Sequence, residues 1–352
     1  MDTEERVELI KKEPTEEIVT LEELFNIFNT ISRPNHYIGL EISGKLHLGS
    51  LILTGYKIND FIKANVRSTI FLADWHTYIN NKLDGDWEKI KKVSNYYRDA
   101  FKFICPNADI VMGSDLYRNN NEYWMDLIHF CKKITFSRVM RSLTIMGRSE
   151  KDSLDFSQFL YPPMQGLDIK TLDIDIVHAG MDQRKIHMLV REVFPKLGWK
   201  VPVSVHHHLL PGLTEPLRLD SSINDNTKNP EDIKIVSKMS KSNVASSITI
   251  HDDEKTICDK IKRAYCPLGV IENNPVLELA RYIVFHEVKD LEIDRSAKYG
   301  GSITYNNYTE LEQDFKNKNL HPIDLKNATA KSINDIICPV RNYINSKYAD
   351  II

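Results

Sequence analysis

Cysteine is sparse and unpaired in this chain. The five present, Cys105, Cys131, Cys258, Cys266 and Cys338, are odd in number and scattered, with no Cys-x-x-Cys spacing, so neither a disulfide framework nor a thiolate zinc site is indicated. A reducing cytoplasm is the expected setting. No apolar run reaches the about 18 to 20 residues needed to span a bilayer, and the acidic start Met1-Asp2-Thr3-Glu4-Glu5 lacks the basic residues that open a signal peptide. Excess positive charge is missing too: 46 Lys and Arg stand against 49 Asp and Glu, a formal net charge of -3. That argues against wholesale electrostatic capture of nucleic acid, but leaves room for local basic patches that read a folded RNA at a few points. Internal repeats and low-complexity tracts are absent.

The 352 residues, 42% of them hydrophobic, are enough to bury a full core and fit two domains better than one. Residues 4–32 place apolar side chains at helical spacing, as in Leu21, Leu24, Phe25 and Phe28, and predict amphipathic helices. From there to about residue 206 strands and helices alternate: strands over 37–42, 67–72, 108–112 and 173–178, helices over 87–104 and 182–197. Such alternation predicts a parallel sheet covered by helices, with its ligand site beyond the carboxyl ends of the strands. The polar stretch from Gly212 to Ser237 reads as a mobile loop. After Asp252 the pattern becomes predominantly helical, with helices expected over 255–265 and 276–286 and a short β excursion over 302–305.

Two segments carry the chemistry. His47-Leu48-Gly49-Ser50 should open a helix directly after the first strand and the breaker Gly44. Lys238-Met239-Ser240-Lys241-Ser242 follows the polar loop. The two segments resemble ATP-handling signatures of class I aminoacyl-tRNA synthetases, which implies that a carboxylic acid is activated with ATP; that brings two anions together, so the site must neutralise phosphates and align an oxygen for attack on phosphorus. His47 can donate to a phosphate oxygen. Gly49 leaves room for adenosine at a helix N-terminus, where backbone N–H groups favour negative charge. Lys238 and Lys241 are flexible cations able to reach a triphosphate from a closing loop.

That resemblance rests on the order and context of the pair. Ser50 stands where that family often has a second His, and Ile42 where a Pro is common; a serine hydroxyl can still donate one hydrogen bond. Tyr37, the stretch Tyr161-Pro162-Pro163-Met164-Gln165-Gly166-Leu167-Asp168, the stretch Gly180-Met181-Asp182-Gln183-Arg184 and the segment Leu320-His321-Pro322-Ile323-Asp324 narrow the resemblance to tyrosyl-tRNA synthetases of the archaeal and eukaryotic type, across nearly the whole chain. The resemblance implies an α/β fold, with a Rossmann-like parallel-sheet catalytic domain and a C-terminal mainly α-helical anticodon-binding domain. The corresponding bounds are 1–34 for N-terminal helices, 35–252 for the catalytic domain with its mobile loop 213–245, and 253–352 for the helical domain.

The same resemblance implies that tyrosine and ATP give tyrosyl-adenylate and pyrophosphate, and that tyrosine then passes to the terminal adenosine of tRNA(Tyr). Tyr37 and Asp168 would hold the substrate phenol, and Tyr161, Gln165 and Gln183 its amino group. ATP would meet Gly39, Glu41, His47, Gly49, Gly180, Asp182, Lys238, Ser240 and Lys241, with Asp182 at the ribose and His47, Gly49, Ser50, Lys238 and Lys241 forming the catalytic set. Arg141 and Arg184 would contact the acceptor stem, and Tyr299, His321, Pro322 and Asp324 the anticodon, where an unpaired base is read by stacking and edge hydrogen bonds. Mg²⁺ should accompany the triphosphate, no protein-bound metal is expected, and a homodimer is implied.

The residues support this independently. Gln165 and Asp168 are three apart, so on a helix they face one pocket. A buried carboxylate needs a partner, and a phenolic O–H is one it can accept from. His206-His207-His208 ends an extended run, where neighbours point to opposite faces, so only His206 and His208 could share an ion, with no third ligand evident. His76 reads as a packing or hydrogen-bonding residue beside the cavity. The alternatives are a tryptophanyl-tRNA synthetase on the same architecture, against which a Tyr37–Asp168 phenol site argues, and a non-catalytic RNA-binding or signalling protein on the same fold. A nucleotidyltransferase with a similar His-x-Gly element would not need the helical C-terminal domain.

Overall fold

A computed structural model of the chain describes residues 1–148, 153–215, 239, 246–348 and 351. The chain divides into two compact units, one of Met1–Gly44, Lys57–His208 and Ile351–Ile352, the other of Lys45–Tyr56 and Leu209–Asp350.

In the first unit, among the described residues, six strands form one sheet: β1 (Thr15–Val19), β2 (Asn35–Leu40), β3 (Arg67–Leu72), β4 (Asp109–Met112), β5 (Ile176–Gly180) and β6 (Val203–His207), in the order β1-β6-β5-β2-β3-β4. All neighbours run parallel except β1, which pairs antiparallel with β6 at the edge. Every residue of β5 and β6 is buried, as expected of parallel strands covered on both faces. The connecting helices are α1 (Thr3–Lys11), α2 (Leu21–Thr30), α3 (Thr54–Lys63), α4 (Asp74–Ile79), α5 (Trp87–Ile104), α6 (Gly113–Tyr117), α7 (Asn121–Cys131), α8 (Phe136–Ser142), α9 (Tyr161–Thr171) and α10 (Arg184–Leu197).

Strand alternation sorts the core into two layers. Tyr37, Phe71 and Val177 join Phe130, Leu167 and Val190 in one cluster, while Ile176, Val203 and Val205 join Val7, Ile10, Leu24 and Phe28 of the N-terminal helices in the other. The parallel-sheet expectation therefore holds, with β3 and α5 falling on their expected residues.

Two expectations need correction. Residues 4–32 are not helical throughout: Pro14 cannot extend α1, and Thr15-Glu16-Glu17-Ile18-Val19 becomes the edge strand β1 before Thr20 caps α2. The strand expected over 173–178 begins only at Ile176. Asp173 turns the chain at φ 52, and the Asp175 carboxylate accepts from the Asn35 backbone N–H at 2.7 Å, which aligns β5 beside β2.

The second unit is mainly helical after residue 252, as expected. Helices Glu254–Arg263, Pro275–Leu279, Tyr308–Lys316 and Pro322–Tyr348 surround a core that includes Ile257, Ile261, Ile283, Leu311, Phe315 and Ile337. The helix expected over 276–286 passes through a π-helical turn, Ala280–Val284, and the β excursion is the hairpin of β7 (Leu291–Ile293) and β8 (Ile303–Tyr305). Among the described residues no helix is long and apolar enough to cross a membrane.

Candidate active site

The first unit gathers aromatic side chains around one carboxylate. Asp168 sits on α9 with no exposure to solvent. Its Oδ1 accepts from the Tyr117 hydroxyl at 2.8 Å and from the Tyr123 hydroxyl at 3.0 Å. Its Oδ2 is buried with no hydrogen-bond partner, 3.7 Å from His76 Nε2. Burial puts the carboxyl well above its usual range; the two tyrosine donors offset only part of that rise, and the charge of Asp74 adds to it. His76 is itself held neutral, its pKa driven down to about 3 by burial. A neutral imidazole adds no positive charge here, so the carboxylate depends on O–H donors for its stabilisation.

Tyr37 enters from β2, 1% exposed and tilted against Phe71 with ring centroids 5.7 Å apart. Burial, then the charge of Asp168, raises its phenol well above the usual range, so the hydroxyl stays protonated. The ring lies back over Gly39, two residues on and on the same face of the strand. A Cβ built at Gly39 would fall 2.3 Å from the Tyr37 hydroxyl oxygen. Gly39, expected at ATP, thus has a distinct role in making room for Tyr37.

Amide groups form a second set. Gln165 Nε2 donates to Gln183 Oε1 at 3.4 Å, and Gln183 Nε2 to the Ile145 carbonyl at 3.1 Å. Gln165 Oε1 is buried without a hydrogen-bond partner. Tyr161 opens α9, edge-on to His76 with centroids 4.6 Å apart; burial first, then the charge of Glu41, raises its phenol. Glu41 accepts from Asn80 Nδ2 at 2.6 Å, and Arg148 secures Asn80 through Oδ1 and the backbone carbonyl, both at 3.1 Å. Tyr37, Tyr161, Gln165 and Asp168 are therefore all buried in this unit, with Gln183 bonded to Gln165. Gly180 ends β5 and Asp182 follows in the turn Met181–Gln183, at the carboxyl end of the sheet where a ligand is expected.

The His47 motif belongs to the second unit. His47 caps the π-helical turn Leu48–Leu53: its Nδ1 accepts from the Gly49 and Ser50 N–H groups at 3.2 and 3.4 Å, and Ser50 Oγ accepts from the His47 N–H at 2.9 Å. This reciprocal cap explains Ser50. Its hydroxyl holds the motif's own backbone, closing a capping box. With Nδ1 accepting, a neutral imidazole carries its proton on Nε2, which makes His47 a donor through that atom. A Cβ at Gly49 would stand 3.2 Å from His47 Cε1, so this glycine accommodates the imidazole of its own motif.

Thr249 forms an antiparallel bridge with His47, flanked by Leu48 N to Ile248 O and Ile250 N to Leu46 O, both at 3.0 Å. The chain emerging from the Lys-Met-Ser-Lys-Ser segment is thereby bonded to the His47 motif. Met239 is buried, its N–H donating to the Leu210 carbonyl at 2.7 Å. Lys238, Ser240 and Lys241, and the loop expected over 213–245 apart from 213–215 and 239, lie outside the described residues.

The residues expected at RNA are distributed differently. Arg141 is exposed on α8. Arg184 opens α10, its Nε donating to both oxygens of Glu17 at 3.0 and 2.9 Å, an edge-strand partner not anticipated from sequence. Tyr299 ends the turn Ala297–Tyr299. His321 accepts from the Ile323 N–H at 3.2 Å just before the helix that contains Pro322 and Asp324. The histidine triplet splits between faces as its extended backbone requires: His206 meets Glu17 at 2.7 Å and His187 at 2.9 Å, while His207 meets His178 at 2.7 Å.

Tyr117, Tyr123, Asn80 and Arg148 were not legible as site residues. The available signal was only the aromatic content of 117–123; nothing in the spacing tied it to Asp168.

A parallel sheet, a buried carboxyl and amide side chains on the elements around its carboxyl end, and a helix-opening His-x-Gly motif are together the marks of an amino-acid-activating enzyme of class I architecture. A family model described as tRNA synthetases class I (W and Y) matches residues 31–225 and 231–337, and the chain belongs to that family. It is 44% identical over 363 aligned positions to a tyrosine–tRNA ligase of Pyrococcus abyssi, covering 97% of this chain and 95% of the relative. The crystal structure of tyrosyl-tRNA synthetase complexed with L-tyrosine from Pyrococcus horikoshii superposes with a TM-score of 0.91 at 41% identity, covering 100% of this chain and 98% of that one. The corresponding L-tyrosine complex from Archaeoglobus fulgidus gives 0.85 at 35% identity, covering 97% of this chain and 100% of that one.

Proposed function

We propose that the chain is a tyrosine–tRNA ligase, which joins tyrosine to ATP as tyrosyl-adenylate with loss of pyrophosphate and passes the tyrosyl group to the terminal adenosine of tRNA(Tyr). The observation that carries the choice of amino acid is Asp168: a fully buried carboxyl with one oxygen saturated by two hydroxyls and the other without a hydrogen-bond partner, beside Tyr37. A phenolic O–H donating to Oδ2 matches it. An indole N–H sits elsewhere on its ring, so the tryptophan alternative is disfavoured. In this reading Tyr161, Gln165 and Gln183 receive the amino group.

In the first step a tyrosine carboxylate oxygen attacks the α-phosphorus, the bond to the bridging oxygen breaks, and pyrophosphate leaves. His47, donating through Nε2, and Lys238 and Lys241 offset the charge that develops on the phosphates; Glu41, Gly180, Asp182 and Ser240 hold the nucleotide. Mg²⁺ enters with ATP as part of the substrate. In the second step a ribose hydroxyl of the terminal adenosine attacks the activated carbonyl and AMP leaves. Arg141 and Arg184 face the acceptor stem, and Tyr299, His321, Pro322 and Asp324 read the anticodon from the helical domain over 253–352. The setting is cytoplasmic.

The working form in this reading is a homodimer. Met125 and Ile128 on α7 and Phe136 on α8 are 62%, 61% and 65% exposed, and exposed apolar side chains of this size suit a second copy. Light scattering on the purified chain should give twice the monomer mass. For the activity, labelled pyrophosphate should exchange into ATP with tyrosine and not with tryptophan; exchange driven by tryptophan, or none with either, would overturn the assignment.

A further inference from the structure

Asp168 presents a problem that family membership does not answer. A carboxylate enclosed by aromatic rings tends to take up a proton, and a protonated Asp168 would compete with the substrate phenol instead of accepting from it. The groups that face it are Tyr37 from β2, Asp74 and His76 from α4, Tyr117 from α6 and Tyr123 from α7. None of these is a cation at neutral pH: His76 is neutral, and Asp74 adds negative charge.

What opposes protonation is the pair of hydroxyls on Oδ1. Both oxygen lone-pair positions there are taken, by Tyr117 at 2.8 Å and Tyr123 at 3.0 Å, which leaves Oδ2 as the acceptor. The two rings lock one another, with centroids 4.6 Å apart, and both are at least 95% buried. The Tyr123 oxygen also lies 3.2 Å from the Met164 carbonyl of α9, a second and more distant acceptor for the single proton it offers Asp168 at 3.0 Å.

We propose that Tyr117 and Tyr123 are positioning residues for amino-acid selection: they favour the ionised form of Asp168 and aim its second oxygen, so that choice of a phenol over a bare ring depends on side chains acting through Asp168. This rests on the tyrosine reading above. Each donated hydrogen bond favours the charged form, so removing one lets Asp168 take up a proton at higher pH. Tyrosine recognition then fails at higher pH, and the penalty for burying an unpaired charge against phenylalanine shrinks.

The test uses the full chain with Tyr117→Phe, Tyr123→Phe and the double variant, which keep the rings and remove only hydroxyls. Tyrosine-dependent and phenylalanine-dependent pyrophosphate exchange would be followed from acid to neutral pH, with KM for ATP measured alongside. The expected result is a roughly tenfold or greater fall in the tyrosine-to-phenylalanine ratio of kcat/KM, an unchanged KM for ATP, and an acid limb for tyrosine moved up by about one pH unit or more per hydroxyl removed. An acid limb and a selectivity ratio both matching the parent, in single variants that fold and bind ATP, would overturn the clamp while leaving the tyrosine assignment standing. Parent enzyme inactive with tyrosine would overturn the assignment itself, and the clamp's role with it.

Discussion

Gly39→Ala tests the pocket with a single methyl group. Gly39 lies on β2 and carries no unusual backbone angle, so the effect of alanine is one of space. The new Cβ would stand 2.3 Å from the Tyr37 hydroxyl oxygen, 3.0 Å from Cζ and 3.6 Å from Cε1. Non-bonded carbon contacts settle at about 3.5 to 4.0 Å, so the hydroxyl must retreat by roughly 1 Å. Tyr37 is 1% exposed and packed on Phe71, so displacing the ring disturbs its packing. Overpacking of this kind costs about 1 to 3 kcal/mol. Borne entirely by tyrosine recognition, that is a loss of about 5- to 150-fold in kcat/KM for tyrosine. Pyrophosphate exchange at varied tyrosine and at varied ATP, with a thermal melt, separates the outcomes. If Gly39 mainly accommodates Tyr37, the tyrosine KM rises and the ATP KM does not. A rise confined to ATP would refute the argument and leave nucleotide contact as the residue's role. Gly39→Ala combined with Tyr37→Phe removes the 2.3 Å clash, so it should recover part of any lost stability without recovering recognition of the phenol.

Other substitutions probe the remaining parts of the site. Lys241→Ala should lower the rate of adenylate formation by about 100- to 1,000-fold with little change in tyrosine affinity, as for loss of a donor to developing charge; a normal pre-steady-state rate would remove Lys241 from the mechanism. Asp324→Ala should impair tRNA charging and leave pyrophosphate exchange near normal, whereas equal losses would point to damage in folding. Glu17 is held below the usual glutamate range: burial raises it, but Arg184 and His206 together outweigh that. A carboxyl depressed in the folded state stabilises fully above its unfolded pKa and loses that contribution as pH falls through the folded one. The parent should therefore melt higher than Glu17→Gln at neutral pH, with the gap closing only in acid, and the same variant should weaken tRNA charging by freeing Arg184. A gap independent of pH would mean that the carboxylate's charge is not what stabilises the edge strand.

The sequence by itself determined the repeating strand–helix order, because a buried parallel strand and an amphipathic helix each impose a period that local residues must obey. Arg67–Leu72 and Trp87–Ile104 were legible on that basis. Of the proposed pocket residues, the shared helix face of Gln165 and Asp168 could be read from their spacing of three, whereas Tyr37 and Gln183 were named only through the resemblance to tyrosyl-tRNA synthetases. Only tertiary structure decided that Thr15–Val19 is a strand, since its partner β6 lies at the far end of the same unit's sequence and five residues between two helices carry little strand signal of their own. The same holds for Ser50, whose hydroxyl turned out to cap its own motif, and for Glu17, which met Arg184 and His206 only once β1 docked. The clamp on Asp168 is the clearest case. Tyr117 and Tyr123 come from two short helices with no motif around them, and hydrogen bonding between side chains so far apart in sequence leaves no periodic trace; it exists only where packing brings three helices to one buried oxygen.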